Sequence, residues 1–182
     1  MGSIIKPGNF YRTMQSLNPS DMHHLRAAEG WLDLGNLNES RSELELIPNP
    51  QYNHPEVLEI RWNLSAKEKN WKNCVKIAQL LVESAPEQLA GWIHRSFALH
   101  ELNQTEEAFI QLKPAQNLFS DQWIIPYNLA CYLSQLGRIK EAAQQFKSAL
   151  SINSKAVKMA AATDPDLKPL KKSINQLRNG GN

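Results

Sequence analysis

Cys131 and the two histidines His94 and His100 are the side chains of this sequence that come nearest to a reactive set. A thiol beside an imidazole is the pairing of a cysteine nucleophile with its base. The same histidines with Glu101 and Cys131 contain the donor types that bind zinc. Neither chemistry is complete. A nucleophile needs preorganised donors for the oxyanion it generates, and nothing in the sequence supplies them. A metal site needs a further ligand at suitable spacing. His23 and His24 are adjacent, so on a helix they diverge by about 100 degrees and do not share a metal. No HExxH, CxxC or GxxxxGK[ST] pattern occurs. The sequence therefore predicts no catalytic residue, no metal site and no cofactor.

Composition narrows the class further. The chain has 182 residues, 42% of them hydrophobic, enough for one domain with a continuous core. A formal charge of +2 is too small to hold nucleic acid or a membrane surface by electrostatics alone. The two cysteines, Cys74 and Cys131, make no disulfide framework, which fits a reduced, cytoplasmic setting. No apolar run approaches the roughly 18 residues that span a membrane. Met1 to Phe10 carries no hydrophobic signal core or cleavage site.

The organising feature is a register. Units starting at Asp21, Pro55, Leu89 and Trp123 follow one another without an insertion, a spacing of 34 residues each time. Their fifteenth to twentieth places read Gly35-Asn36-Leu37-Asn38-Glu39-Ser40, Lys69-Asn70-Trp71-Lys72-Asn73-Cys74, Asn103-Gln104-Thr105-Glu106-Glu107-Ala108 and Gly137-Arg138-Ile139-Lys140-Glu141-Ala142. Each unit reads as two helices. Asn18 and Pro19 suit an N-cap and a first helical position, and Gly35 suits a left-handed stop. The first pair is expected from Asn18 to Gly35 and from Asn38 to Ile47, before the loop Ile47-Pro48-Asn49-Pro50. Later helices are expected over Pro55–Lys69, Trp71–Glu83, Pro86–Leu102, Thr105–Phe119, from Trp123, and over Lys140–Ile152, with one more over Ser154–Ala162. Asn53 with Glu56, and Ser84 with Glu87, have the spacing of capping boxes. Pro114 lies inside the third unit's second helix, where its missing amide costs roughly 3 kcal/mol unless the helix bends or breaks.

This period and pattern resemble the tetratricopeptide repeat, a helix–turn–helix unit that stacks into a right-handed superhelical solenoid. The fourth unit carries the likeness best: small Ala130, Gly137, Ala142 and Ala149 alternate with large Leu133, Ile139 and Phe146. The third keeps Trp92, Ser96, Leu99, Ala108, Leu112 and Ala115, and the second keeps Leu58, Trp71, Cys74, Ala78, Leu81 and Pro86. The first keeps Ala28, Trp31, Gly35, Leu37, Ser40 and Leu44. Trp62 stands at an eighth place that is normally small, which puts packing within the second unit in question. Segments such as Trp92–Leu102, Ile125–Tyr132 and Thr163–Leu170 further resemble small stand-alone bacterial tetratricopeptide proteins, whose biochemical roles are generally unassigned. The likeness implies an all-α protein: an N-terminal arm over 1–17, a body over 18–156 containing repeats 21–54, 55–88, 89–122 and 123–156, and a capping helix and tail over 157–182. Leu170, Ile174 and Leu177 are expected to form an amphipathic cover there, and over 155–178 Lys155, Lys158, Lys168, Lys171, Lys172 and Arg178 outnumber Asp164 and Asp166.

The resemblance also implies a binding surface, because in this family the first helix of each repeat lines a concave groove through its second, fifth, sixth, ninth, twelfth and thirteenth places. Among these the expected peptide-binding residues are Ile60, Asn63, Ile93, His94, Phe97, His100, Ile124, Tyr127, Asn128 and Cys131. Ile93, Phe97 and Tyr127 are expected to form one apolar patch beside Asn63 and Asn128, whose amides offer a donor and an acceptor to a peptide backbone. The nearer end, with Glu29, Asp33, Glu56 and Glu59 against Arg26 and Lys67, is mildly acidic. The carboxylate clamp of chaperone-tail binders is absent, since Leu25, Glu29, Ala90 and His94 stand where its cations and amide belong. The expected function is a non-catalytic scaffold or adaptor that binds a protein or peptide segment in the groove, without nucleic acid or membrane. The alternative is a chaperone for a hydrophobic secreted protein, like class II type III secretion chaperones. Those usually have three repeats and an acidic balance, unlike this chain.

Overall fold

A computed structural model describes residues 16–49 and 51–172. The expected arm up to residue 15, Pro50 of the first inter-repeat loop, and Ile174, Leu177 and Arg178 of the tail lie outside the described residues. Within them the chain is helical and contains no strand. The helices with both ends among the described residues are α1 (Pro19–Asp33), α2 (Leu37–Glu45), α3 (Pro55–Lys67), α4 (Trp71–Ser84), α5 (Leu89–Glu101), α6 (Thr105–Leu112), α7 (Ala115–Leu118), α8 (Ile124–Gln135) and α9 (Ile139–Thr163), and residues 168–172 are helical as well. A turn of 3-10 helix, Gln51–Asn53, precedes α3. Each packs mainly on its neighbours in sequence, α1 on α2, α3 on α4, α5 on α4 and α6, and α8 on α9. That nearest-neighbour pattern is what makes a solenoid.

The period is visible in the backbone. The residues with positive φ are Gly35 (78°), Lys69 (55°), Asn103 (61°) and Gly137 (74°), the fifteenth place of every repeat. Each ends the first helix of its pair in the same way. The next amide reaches back over the turn: Asn36 N to Trp31 O at 2.9 Å, Asn70 N to Ser65 O at 2.8 Å, Gln104 N to Leu99 O at 3.0 Å and Arg138 N to Leu133 O at 2.9 Å. These bonds satisfy carbonyls that the helix end leaves open. Asn36 and Asn70 then cap the following helix through their side chains.

Small side chains set the distance within each pair. The eighth and twentieth places hold Ala28 and Ser40, Ser96 and Ala108, and Ala130 and Ala142, all 0% exposed. The second repeat pairs Trp62 with Cys74, and the doubt over its packing is resolved by geometry. Cys74 is small enough for its thiol to donate to the Trp62 carbonyl at 3.8 Å, so α3 and α4 still approach. The indole leaves the seam and stacks on His94 of α5. Burial raises the Cys74 thiol to about 11. Between repeats, Gly91 permits an equally close approach: a Cβ there would lie 2.9 Å from the backbone nitrogen of Val82.

Three expectations about helix ends need correction or refinement. Asn53 does not cap α3; its N-cap is His54, with no side-chain bond, because the 3-10 turn uses Asn53. Ser84 does not cap α5 either. Its hydroxyl donates to Leu80 O at 2.7 Å and closes α4, while the Pro86 carbonyl is taken by the Trp92 indole at 3.0 Å, so α5 starts at Leu89. At Pro114 the helix breaks into α6 and α7. Gln116 N and Asn117 N reach only three residues back, to Lys113 O and Pro114 O, as a tightened turn does when an amide is missing.

Beyond the fourth pair, α9 contains Asn153 in a non-helical conformation (φ −148°, ψ 84°). Its side chain accepts from Ala156 N at 3.0 Å and so starts the expected extra helix. Val157 and Ala161 on that helix, with Leu167 and Leu170 beyond it, join the core around Leu129 and Leu133. They form the cap that a solenoid end requires.

Lys69 holds a left-handed conformation that costs an L-residue roughly 1–2 kcal/mol. Lys69→Gly is therefore expected to stabilise the protein by about 0.5–1 kcal/mol, read as a higher denaturation midpoint at unchanged m-value. Gly137→Lys at the equivalent place is expected to lower it.

Candidate functional site

The helices expected to line the inner face are α1, α3, α5 and α8, and the two halves they form differ. Over the far half the chain folds back on itself. After Thr163 ends α9, residues 164–172 run across α8 and reach α5. The Tyr127 hydroxyl donates to Asp164 Oδ2 at 2.6 Å, and the Cys131 thiol points to the same oxygen at 3.5 Å. Asp164 Oδ1 accepts from Asp166 N at 2.9 Å, an Asx turn that holds the Asp-Pro-Asp corner. Asp166 Oδ2 lies 3.3 Å from His100 Nε2, and His100 Nδ1 is 3.0 Å from Thr105 Oγ1. Gln135 donates to the Asp166 carbonyl at 2.8 Å, and Ser134 Oγ accepts from Leu170 N at 3.2 Å. Leu167 and Leu170 are 1% and 2% exposed. Residues 164–172 are thus a strap seated on the fifth, ninth, twelfth and thirteenth places of the fourth repeat.

The strap changes the chemistry of what it covers. Burial, followed by the bond to Asp164, raises the Tyr127 phenol. Burial, followed by the Asp164 charge, raises the Cys131 thiol. The Cys131 thiolate is therefore disfavoured, the opposite of what a nucleophile needs. His100 faces Asp166 and Thr105, whereas His94 lies flat on Trp62, ring centroids 3.9 Å apart and planes 11° apart. The two histidines thus have separate neighbours. Among the described residues no group of three or more His, Cys, Asp or Glu side chains is placed to hold a metal ion. His24 pairs instead with Glu43 at 2.8 Å.

The expected apolar patch is not one surface. Phe97, 39% exposed, sets its edge against Trp62 and Trp71. Ile93 and Ile124 pack on the C-terminal core. Tyr127, 4% exposed, lies under the strap, and Asn128 is half-buried. Trp62 and the strap cause this division, one by gathering the aromatics of α3 and α5, the other by covering α8.

Among the described residues the near half is open. Between α1 and α3 lies a cleft of about 350 Å³ lined by Glu29, Leu32, Asp33, Ile60, Asn63, Ala66 and Lys67. All seven occupy ninth, twelfth, thirteenth or sixth places of the first two repeats. Of the ten expected binding residues it contains Ile60 and Asn63. Sequence reading set these seven residues on the inner face but did not single out the cleft, because its openness depends on where the strap goes. The signal for the strap was the Thr163-Asp164-Pro165-Asp166 corner followed by Leu167 and Leu170.

No family model matches the chain, and no curated protein matches it in sequence. Solved structures do. MamA from Desulfovibrio magneticus RS-1 superposes over 92% of this chain and 100% of its own with a TM-score of 0.67 at 11% identity. A further MamA crystal structure covers 90% of this chain and 94% of its own, with a TM-score of 0.67 and 12% identity. A MamA RS-1 double mutant covers 79% and 78%, with a TM-score of 0.65 and 14% identity. At such identities the likeness is one of fold.

Two outcomes are expected. His94 is held at about 4 by burial, below the ordinary value near 6.5. A depressed histidine contributes stability that is present above its unfolded value and lost as pH falls towards its folded one. His94→Gln should therefore flatten the decline in stability between pH 6.5 and 4 by roughly 1–3 kcal/mol, measured by urea unfolding against the wild type. In a Cys74→Ala background, Cys131 should react with a thiol reagent only as fast as the strap opens, and Asp164→Asn should speed that labelling by about tenfold, the equivalent of ~1.4 kcal/mol. Equal rates would show that Asp164 does not secure the strap. These repeated helix pairs, their left-handed turns and the superpositions together show a solenoid of the tetratricopeptide-repeat kind.

Proposed function

We propose that the protein is a non-catalytic interaction module that binds a peptide or protein segment on its inner face, and that the segment sits between α1 and α3. The observation that carries this reading is the contrast between the two halves. The strap already fills the half around Tyr127 and Cys131, while the cleft around Asn63 is open and about 350 Å³ in volume. Its makeup suits a chain segment: Leu32, Ile60 and Ala66 give an apolar floor, and Asn63 offers an amide donor and acceptor to a backbone. Rigid helices hold both, so little ordering entropy is lost on binding.

The test is a selection from a displayed random-peptide library on the purified protein. Selected peptides are expected to bind at least about tenfold more weakly to Ala66→Trp, which fills the cleft, and to Asn63→Ala, which leaves it open, matching the loss of an interface hot spot. Phe97→Ala should leave their affinity within about twofold, the effect of a contact outside the hot spot. Circular dichroism should show all three variants folded. Peptides indifferent to both cleft variants would overturn the reading.

A further inference from the structure

The strap and the cleft occupy equivalent seats two repeats apart. Gln135, which donates to the strap backbone, corresponds in register to Lys67 of the cleft. Cys131 corresponds to Asn63, Tyr127 to Glu59, and His100 to Leu32. The strap seat therefore shows how a turn opening a short helix, 164–167 followed by 168–172, lies on two adjacent inner helices of this solenoid. Its two aspartates meet the Tyr127 hydroxyl and the His100 ring, its backbone meets Gln135, and its leucines enter the core.

The same pose in the cleft meets carboxylates, charge of the same sign as the strap's aspartates. By register Glu59, outside the cleft's lining and one helical turn before Asn63 on α3, stands where the first aspartate would lie, and where the second would lie are Leu32 and, one residue on, Asp33. Glu29 stands on the same rim. None of these three carboxylates makes an ion pair among the described residues. Resting on the reading above, we infer that the cleft takes a cationic segment of a partner protein. Two of its lysines or arginines, spaced as Asp164 and Asp166 are, face Glu59 and the Asp33–Glu29 rim. An apolar side chain sits on Leu32 and Ile60, and a backbone carbonyl accepts from Lys67. Burial, then the charge of Glu56, holds the Glu59 carboxyl above the ordinary carboxylate range; a cation beside it opposes that shift by favouring the charged form. Charge complementarity of this kind selects a partner and speeds its arrival.

The probe is the strap octapeptide over residues 163–170 carrying Asp164→Lys and Asp166→Lys, fluorescently labelled and titrated by polarisation against the full chain. Comparators are the unaltered octapeptide and a scrambled peptide with the charge of the lysine form. The lysine form is expected to bind at least about tenfold more tightly than both, to weaken as salt rises, and to lose about tenfold on Asp33→Asn with Glu59→Gln, as close charge pairs do. Absence of saturable binding, equal binding by the scrambled peptide, or indifference to the carboxylate variant overturns the inference. Tighter binding by the unaltered peptide, abolished by Ala66→Trp, overturns the charge assignment but leaves the cleft reading standing. Lysine-form binding that survives Ala66→Trp and Asn63→Ala overturns both.

Discussion

The close approach of the two helices in each pair is the constraint from which the rest follows. Ala28, Ser40, Ser96, Ala108, Ala130 and Ala142 are completely buried, so their backbones approach with only a methyl or hydroxymethyl group between them. Large residues then fill the spaces between pairs, with Leu58, Leu81, Leu112, Ile125 and Leu129 among the fully buried ones. Each such side chain contributes about 1.5–3 kcal/mol through burial. The alternation works only if every pair turns at the same point, which is why the left-handed residue recurs at the fifteenth place even where it is Lys69 or Asn103. Local strain at those two positions is outweighed by packing that the turn makes possible.

What was legible in the residues is what the repeat enforces. Period, paired helices, the cap at Asn18 and the break at Pro114 all follow from local chemistry: small residues at fixed spacing, an asparagine that accepts from Asp21 N at 2.8 Å, and a proline without an amide. The second repeat shows the limit. Trp62 looked like a misfit at its own seam, yet its indole is accommodated by His94 a full helix away, a partner that no reading of one repeat would find. The capping boxes failed for a related reason. Asn53 and Ser84 had closer local uses, in the 3-10 turn and at the end of α4.

The strap was the least legible element because its contacts run between residues more than thirty positions apart. Tyr127 to Asp164 and Ser134 to Leu170 are examples. A register assigns side chains to the inner face but does not say whether the chain later returns to cover them. That return divides the inner face into a closed and an open half. It also explains why Cys131 and Tyr127 are held protonated, by burial and by Asp164.

The division bears on where a partner can compete. To use the far half it must lift a strap whose two leucines are almost fully buried. Re-exposing them costs about 1.5–3 kcal/mol each, and breaking the bond from Tyr127 to the Asp164 carboxylate adds about 1.5–3 kcal/mol for a charged hydrogen bond. A micromolar complex is worth about 8 kcal/mol in total, so most of its binding free energy would go into displacing the strap. The cleft between α1 and α3 carries no such cost. Its floor of Leu32, Ile60 and Ala66 is already formed and already open among the described residues, and Arg95 braces the second repeat against the third. That buried guanidinium donates to Gln79 at 2.7 Å on α4 and to the Gln111 carbonyl at 3.1 Å on α6, joining three helices. A partner of modest affinity therefore gains most where the solenoid is rigid and uncovered, which favours the first two repeats over the last two.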